Sequence, residues 1–255
     1  MKPLANFAAA AADFLFPPEC LLCQRSLAVE TAGSGQHAGS GDFCAVCLAE
    51  LLADLPRCGR CGASCEQGLA MACATCRQNP PPWRAMVVLA GYGDLLRDAV
   101  LRAKRPWGEP VGMALGRRLG NEVRTELAAT LPDLVVPVPM HWRRRALRGT
   151  SSAGVIAAAV ARALRLPVRT SLWRIRATCM QNRLPAEERP ANVQGAFRAA
   201  RGVRGRRVLL VDDVVTTGAT VTAGTQALLA AGAKDVYVAT VAKAERSPLQ
   251  VDTLP

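Results

Sequence analysis

Val208-Leu209-Leu210-Val211-Asp212-Asp213-Val214-Val215-Thr216-Thr217-Gly218-Ala219-Thr220 reads as a buried strand that ends on two adjacent carboxylates and runs into a small loop of hydroxyls and glycine. The apolar run suits an interior parallel strand. A helix is expected next, from Val221 to Ala231. In open α/β sheets ligands bind at the carboxyl ends of the strands, where this acidic pair emerges. The loop offers backbone N–H groups, hydroxyls and a helix N-terminus, which together suit a phosphate dianion. Carboxylates beside a phosphate cradle fit a ribose 5-phosphate, with its hydroxyls on the acids and its phosphate in the loop.

The string resembles the phosphoribosyl pyrophosphate (PRPP) fingerprint of type I phosphoribosyltransferases. It is not a nucleotide-triphosphatase P-loop, because no Gly-Lys-Ser/Thr closes it, and the Gly-x-Gly-x-x-Gly spacing of dinucleotide sites is absent. An ordinary strand–turn–helix with a capping Asp pair is the plainer reading. Against it, two tandem charges at a buried strand's end are costly without a ligand or partner.

Ten cysteines occur, and eight form four Cys-x-x-Cys pairs in the first third of the chain: Cys20/Cys23, Cys44/Cys47, Cys58/Cys61 and Cys73/Cys76. Each pair presents two thiolates from a tight turn, and two such knuckles complete a tetrahedral zinc site. Two structural zinc ions are therefore expected. Sequential pairing puts the first four cysteines on one ion and the last four on another; an interleaved cross-brace is the alternative. Cys65 reads as a bystander. A disulfide framework implies a small secreted domain, whereas a long cofactor-type domain follows here. Four regular knuckles also suit two ribbons better than one iron–sulfur cluster. The segment from Pro18 to Pro80 has few large apolar groups, too few to offset ordering costs of ~1–2 kcal/mol per residue. Structural zinc contributes ~10–16 kcal/mol per site in small peptides, so this module should require its metal to fold.

The 255 residues suffice for one good core plus a small module, and the formal charge is +12, carried mostly by arginine. Metal-bound thiolates would lower that charge by about 4 and leave a basic protein. The excess points to phosphate-bearing ligands, although an Ala/Arg/Gly-rich composition produces it too. Apolar runs are short or broken by Arg, so no membrane span is expected. Asp13 interrupts the signal-like N-terminus, and a thiol-rich module follows, which places the protein in the cytoplasm.

The expected organisation is an N-terminal helix (1–17), a double zinc ribbon (18–80), a phosphoribosyltransferase-like domain (81–246) and a C-terminal tail (247–255). Thr31 to Gly41 reads as a flexible insertion and Pro80-Pro81-Pro82 as a stiff boundary. Beyond it, strands are expected at Met86–Tyr92, Leu134–Pro139, Val168–Leu172 and Val236–Val241, besides the fingerprint strand. Helices are expected at Asp94–Lys104, Pro110–Ala129 and Ser152–Leu164. This alternation predicts an α/β fold with a parallel sheet flanked by helices.

The order of motifs carries a closer resemblance. Paired knuckles precede a Pro137-Val138-Pro139 strand, an Arg-rich loop and Arg148-Gly149. Then come Arg176-x-Thr178-x-x-Gln181-x-x-Leu184, Arg189-x-x-Asn192-Val193-x-x-Ala196-Phe197, and the acidic fingerprint. Together they resemble the ComF family of competence-associated proteins, over about Phe16 to Ala244. One departure stands out. The family usually continues Arg-Gly with an aromatic residue and Asn-Gln; here Thr150-Ser151-Ser152 follows.

The resemblance implies a PRPP- and Mg²⁺-binding domain in a protein of DNA uptake. Single-stranded DNA and competence or DNA-processing proteins are then possible partners. The alternative is an active phosphoribosyltransferase of nucleotide metabolism, transferring to a nitrogen nucleophile without a DNA role. Asp212 and Asp213 are expected on the ribose hydroxyls and the ion, and Val215, Thr216, Thr217, Gly218, Ala219 and Thr220 around the 5-phosphate. Arg143, Arg144, Arg145 and Arg148 would face pyrophosphate. Arg176, Gln181, Arg189 and Asn192 lie where type I transferases carry a mobile hood, and Arg189 is expected among the catalytic residues with the two aspartates. Cys179 has no evident partner, and His141 reads as polar surface. Trp142 is the best stacking candidate for single strands, in a chain with only 4% aromatic residues.

Overall fold

A computed structural model describes residues 17–27, 41–52, 56–65, 72–140, 151–176 and 195–244. The expected N-terminal helix, most of the Gly/Ser insertion, the loop from His141 to Thr150 and most of the hood segment lie outside these residues. The chain packs as two units, Met1–Ala53 and Asp54–Pro255.

In the first unit, the Cys20–Cys23 turn is closed by Gln24 N–H on the Cys20 carbonyl (2.8 Å) and Cys20 N–H on that of Arg25 (2.8 Å). Helix α1 (Ala45–Leu52) starts directly after Cys44, which puts Cys47 in its first turn.

The second unit opens on a copy of that turn. Pro56-Arg57-Cys58-Gly59-Arg60-Cys61-Gly62-Ala63-Ser64-Cys65 follows the pattern of Pro18-Glu19-Cys20-Leu21-Leu22-Cys23-Gln24-Arg25-Ser26-Leu27. Cys58 bonds Ala63 and Gly62 as Cys20 bonds Arg25 and Gln24, and Cys65 N–H reaches Pro56 as Leu27 N–H reaches Pro18. Gln24 and Gly62 both turn with positive φ, 62° and 71°. Cys65 therefore stands where the first copy has an apolar leucine. Helix α2 (Ala74–Gln78) follows Cys73 just as α1 follows Cys44.

Next come β1 (Met86–Gly91), α3 (Asp94–Ala103), α4 (Glu109–Glu126), β2 (Leu134–Pro137), α5 (Ser152–Leu164), β3 (Leu172–Arg174), β4 (Phe197–Ala199), β5 (Arg207–Val215), α6 (Ala219–Ala230) and β6 (Asp235–Lys243). Four strands form one parallel sheet in the order β1-β6-β5-β2. Val208, Leu210, Val236 and Val238 share an apolar cluster with Val221 and Leu228 of α6, so this helix covers one face. The intervening Val87, Val135, Leu209, Val211 and Ala239 are equally buried. Helices α4 and α5 pack against these strands as well. Strands covered on both faces carry no polar alternation, hence the continuous apolar runs.

Helices α4 and α5 meet along a seam of missing side chains. A Cβ on Gly116 would stand 2.6 Å from that of Ala159, and one on Gly120 2.7 Å from that of Ala163. No atom fits at those distances, so the two backbones approach as closely as glycine allows.

One expected strand differs. Val168 makes only an isolated bridge to Val135, and Leu172–Arg174 pairs antiparallel with Phe197–Ala199 in a separate two-stranded sheet. Pro167 immediately before Val168 has no N–H to donate, which curtails pairing there. The return strand β4 had no periodic signal, being only three residues long.

Candidate functional site

Strand β5 carries Asp212 and Asp213 to the sheet's carboxyl end, both part-buried. Asp213 holds three donors. Ser152 Oγ donates to its Oδ2 at 2.5 Å, Lys104 Nζ lies 3.3 Å from the same oxygen, and Val214 N–H donates to Oδ1 at 2.7 Å. Asp212 accepts from the Asp213 N–H at 2.9 Å. Burial pushes the Asp212 carboxyl up to about 8, the negative charge of Asp213 adds to the rise, and the Asp213 N–H, Lys104 and Arg174 oppose it. An acid pair this crowded holds an exchangeable proton near neutrality and suits hydroxyl hydrogens or a hard cation.

The loop turns on Gly218, whose φ of 83° caps α6. Thr222 N–H on the Gly218 carbonyl (2.8 Å) starts the helical ladder, so the N–H groups of Ala219 to Val221 precede it. Thr217 Oγ1 accepts from Ala219 N–H at 3.4 Å. Lys243 Nζ donates to the Thr216 carbonyl, and Ala244 N–H reaches the Val215 carbonyl at 2.9 Å. Thr240 Oγ1, fully buried, donates to the Asp213 carbonyl at 3.1 Å. The neighbouring strand β6 thus braces the loop from beneath. The result is a positive helix end beside two acids, a geometry for a phosphorylated polyol.

Of the sequence-predicted residues, Asp212, Asp213 and 215–220 come together here. Arg176 is exposed just after β3. Arg143, Arg144, Arg145, Arg148, Gln181, Arg189, Asn192, His141, Trp142 and Cys179 lie outside the described residues. Sequence reasoning missed Lys104, Ser152, Arg174, Thr240 and Lys243. One signal was available: only four of the 32 Lys and Arg residues are lysines, and two of those four converge on this loop.

The cysteines sort into Cys20, Cys23, Cys44, Cys47 and Cys58, Cys61, Cys73, Cys76, with the sulfurs of each set within 4.8 Å of one another. Sequential pairing therefore holds and the interleaved cross-brace does not. Sulfurs 2.3 Å from one zinc stand ~3.8 Å apart at tetrahedral angles. Cys23 and Cys44 are 3.6 Å apart, and Cys61 and Cys73 3.7 Å, so both cages have zinc dimensions. The sets match electrostatically too. Burial opposes ionisation of Cys20 and Cys58, but backbone N–H groups aimed at each sulfur bring Cys20 to about 6 and Cys58 to about 7. Burial and the neighbouring sulfurs push Cys47 and Cys76 up. Four thiolates this close require a cation to share.

A phosphoribosyl transferase domain model matches residues 150–255, and a double zinc ribbon domain model matches residues 11–77. DNA utilization protein YhgH of Escherichia coli K12 is 34% identical over 226 residues, covering 87% of this chain and 95% of that protein. Competence protein F of Haemophilus influenzae is 29% identical over 232 residues, covering 88% and 96%. Among solved structures, the glutamine PRPP amidotransferase from B. subtilis complexed with ADP and GMP is 26% identical, covering 56% of this chain and 30% of that one at a TM-score of 0.39. A double zinc ribbon joined to a phosphoribosyltransferase domain is the architecture this sequence encodes. The chain belongs to the ComF family, which includes YhgH and competence protein F.

Proposed function

We propose that the β5–α6 loop binds PRPP with Mg²⁺ in a protein that handles DNA taken up from outside the cell. The observation that carries this reading is the placement of the Asp212–Asp213 pair beside the Gly218 turn and the start of α6. Ribose hydroxyls donate to the carboxylates, and the loop's N–H groups and Thr hydroxyls receive the 5-phosphate. Charge-assisted hydrogen bonds contribute about 1.5–3 kcal/mol each, more than the helix dipole's ~0.3–1 kcal/mol, so the donors dominate. Asp212 and Asp213 supply the hard oxygens that would hold Mg²⁺, which neutralises pyrophosphate charge when bound. Arg143, Arg144, Arg145 and Arg148 bear the pyrophosphate, while Arg176, Gln181, Arg189 and Asn192 close over the site. The names of YhgH and competence protein F support the DNA role, and Trp142 with its flanking arginines suits single strands. Among the described residues no helix is long and apolar enough to cross a membrane.

The test is calorimetric binding of PRPP with and without Mg²⁺, comparing the native protein with Asp212→Asn/Asp213→Asn. Micromolar binding that the double variant abolishes is expected; its absence in well-folded native protein sinks the reading. A second reading, active phosphoribosyl transfer to a nitrogen nucleophile, is favoured by the three donors organised on Asp213. Pyrophosphate release on adding free bases or ammonia would separate it from binding alone.

A further inference from the structure

The motifs used so far leave Trp83 without a role, although it is buried at 5% exposure and lies beyond the last knuckle. One end of its indole belongs to the second zinc ribbon. Trp83 Nε1 donates to the Arg60 carbonyl at 2.6 Å, and Arg60 sits inside the Cys58–Cys61 knuckle. The knuckle is fastened around that point: Arg60 donates from Nη1 to the Arg84 carbonyl (2.9 Å) and from Nη2 to that of Pro81 (3.1 Å). Met86 N–H at the start of β1 reaches the Gly59 carbonyl at 2.8 Å. The turn is pressed so closely on the sheet that a Cβ on Gly62 would stand 2.4 Å from Val88 Cγ2.

The other end of the indole belongs to the phosphate loop. A Cβ on Gly218 would lie 3.7 Å from Trp83 Cη2, so the ring edge faces this glycine across no more than the space a methyl would fill. Trp83 shares its apolar cluster with Val215, Ala219 and Val221, which flank the same turn. The ring therefore reaches from a carbonyl inside a zinc knuckle into the apolar cluster around the glycine on which the loop reverses.

We propose that Trp83 is a positioning residue through which the second zinc site sets the conformation of the Thr216–Thr220 loop. This rests on the phosphate-binding reading of that loop. Zinc fixes Cys58 and Cys61, and with them the direction of the Arg60 carbonyl. The indole N–H, buried and needing an acceptor, follows that carbonyl. Its far edge then bounds the space over Gly218, whose left-handed backbone has no side chain of its own to fill it. Phenylalanine cannot replace the bridge, since it is shorter and has no donor.

Two readouts test this on the full chain: hydrogen exchange of the amides at 215–222, and calorimetric affinity for Mg²⁺·PRPP. Trp83→Phe is expected to speed exchange in the loop and weaken affinity roughly tenfold, short of the ~100-fold that a 1 Å misplacement can cost in rate. Cys76→Ser, which opens the second zinc site while leaving Trp83 in place, is expected to speed exchange in the same amides. Unchanged protection in β6 at Val238–Val241 shows in each case that the sheet is intact. Native loop exchange in a folded Trp83→Phe protein overturns the proposal, as does native loop exchange in Cys76→Ser. Failure of the wild type to bind PRPP refutes the ligand assignment instead, and the exchange measurement still decides whether knuckle and loop are coupled.

Discussion

Lys104 Nζ stands 3.3 Å from Asp213 Oδ2, joining the end of α3 to the end of β5 by a part-buried ion pair. Lys104 sets a positive charge directly against the acidic pair and favours its ionised form. Replacing Lys104 with Ala should destabilise the ligand-free protein by about 1.5–3 kcal/mol, the range for a hydrogen bond to a charged group. If the proposed site binds PRPP, affinity should fall as well, since a positive charge is lost from that site. Denaturant melts and calorimetry of the variant measure both effects; unchanged values would make the pair a surface contact.

The Thr150-Ser151-Ser152 departure now has a physical account. Ser151 caps α5 by accepting from Gly154 N–H at 3.3 Å, a role that Asn fills equally well. Ser152, buried, holds Asp213. Ser151→Ala should cost about 1 kcal/mol of stability and leave binding nearly native, while Ser151→Asn should be neutral. Ser152→Ala should weaken PRPP binding at least as much as it weakens the fold. Thermal melts paired with titrations of the three variants separate the cap from the ligand-site contact.

The raised Asp212 carboxyl makes stability depend on pH. The folded state binds this proton more tightly than the unfolded state, from the usual value of 3.8 up to about 8. Its stabilising contribution is fully present below about 4, declines as pH rises, and is gone above about 8. Asp212→Asn, which cannot ionise, should therefore melt higher than the wild type at pH 9 and show a smaller advantage at pH 5. Mg²⁺-dependent binding to the wild type should strengthen from pH 6.5 to 8.5, because the ion competes with that proton. Melting curves at both pH values check the first statement and titrations the second.

Two cages of zinc dimensions predict two zinc ions per purified chain, measured by elemental mass spectrometry. Cys73→Ser should lower the count towards one. Cys65→Ser should leave it at two, since Cys65 lies outside both sets and occupies the position of Leu27 in the other copy.

The β5 strand, its loop and the cysteine sets were legible in the sequence because each is local. A run of Val and Leu needs no partner to identify it, and Cys-x-x-Cys brings its own geometry. Ser152 was not legible: it meets Asp213 across 61 positions, and nothing around it distinguishes it from an ordinary helix start. Lys104 reads as the basic last turn of an amphipathic helix until the fold brings it to the acids. Nothing in the sequence marks Trp83 beyond its place after Pro82, because its two neighbourhoods lie on elements that only tertiary packing unites. The β3–β4 pair was missed for a different reason, since three-residue strands are too short to show a period.

The glycine seam between α4 and α5 reaches beyond packing. Lys104 lies one tight turn before α4, where a Cβ on Gly108 would stand 1.9 Å from the Arg102 carbonyl, and Ser152 is the first residue of α5. Of the two side chains that grip Asp213, Ser152 is thus mounted on one rod and Lys104 on the turn that leads into the other, and the gap between the rods is set by absent methyl groups at Gly112, Gly116 and Gly120. The seam works as a calliper. A single added carbon in the middle of the helices would spread its jaws at the acid, although no atom of the seam belongs to the site.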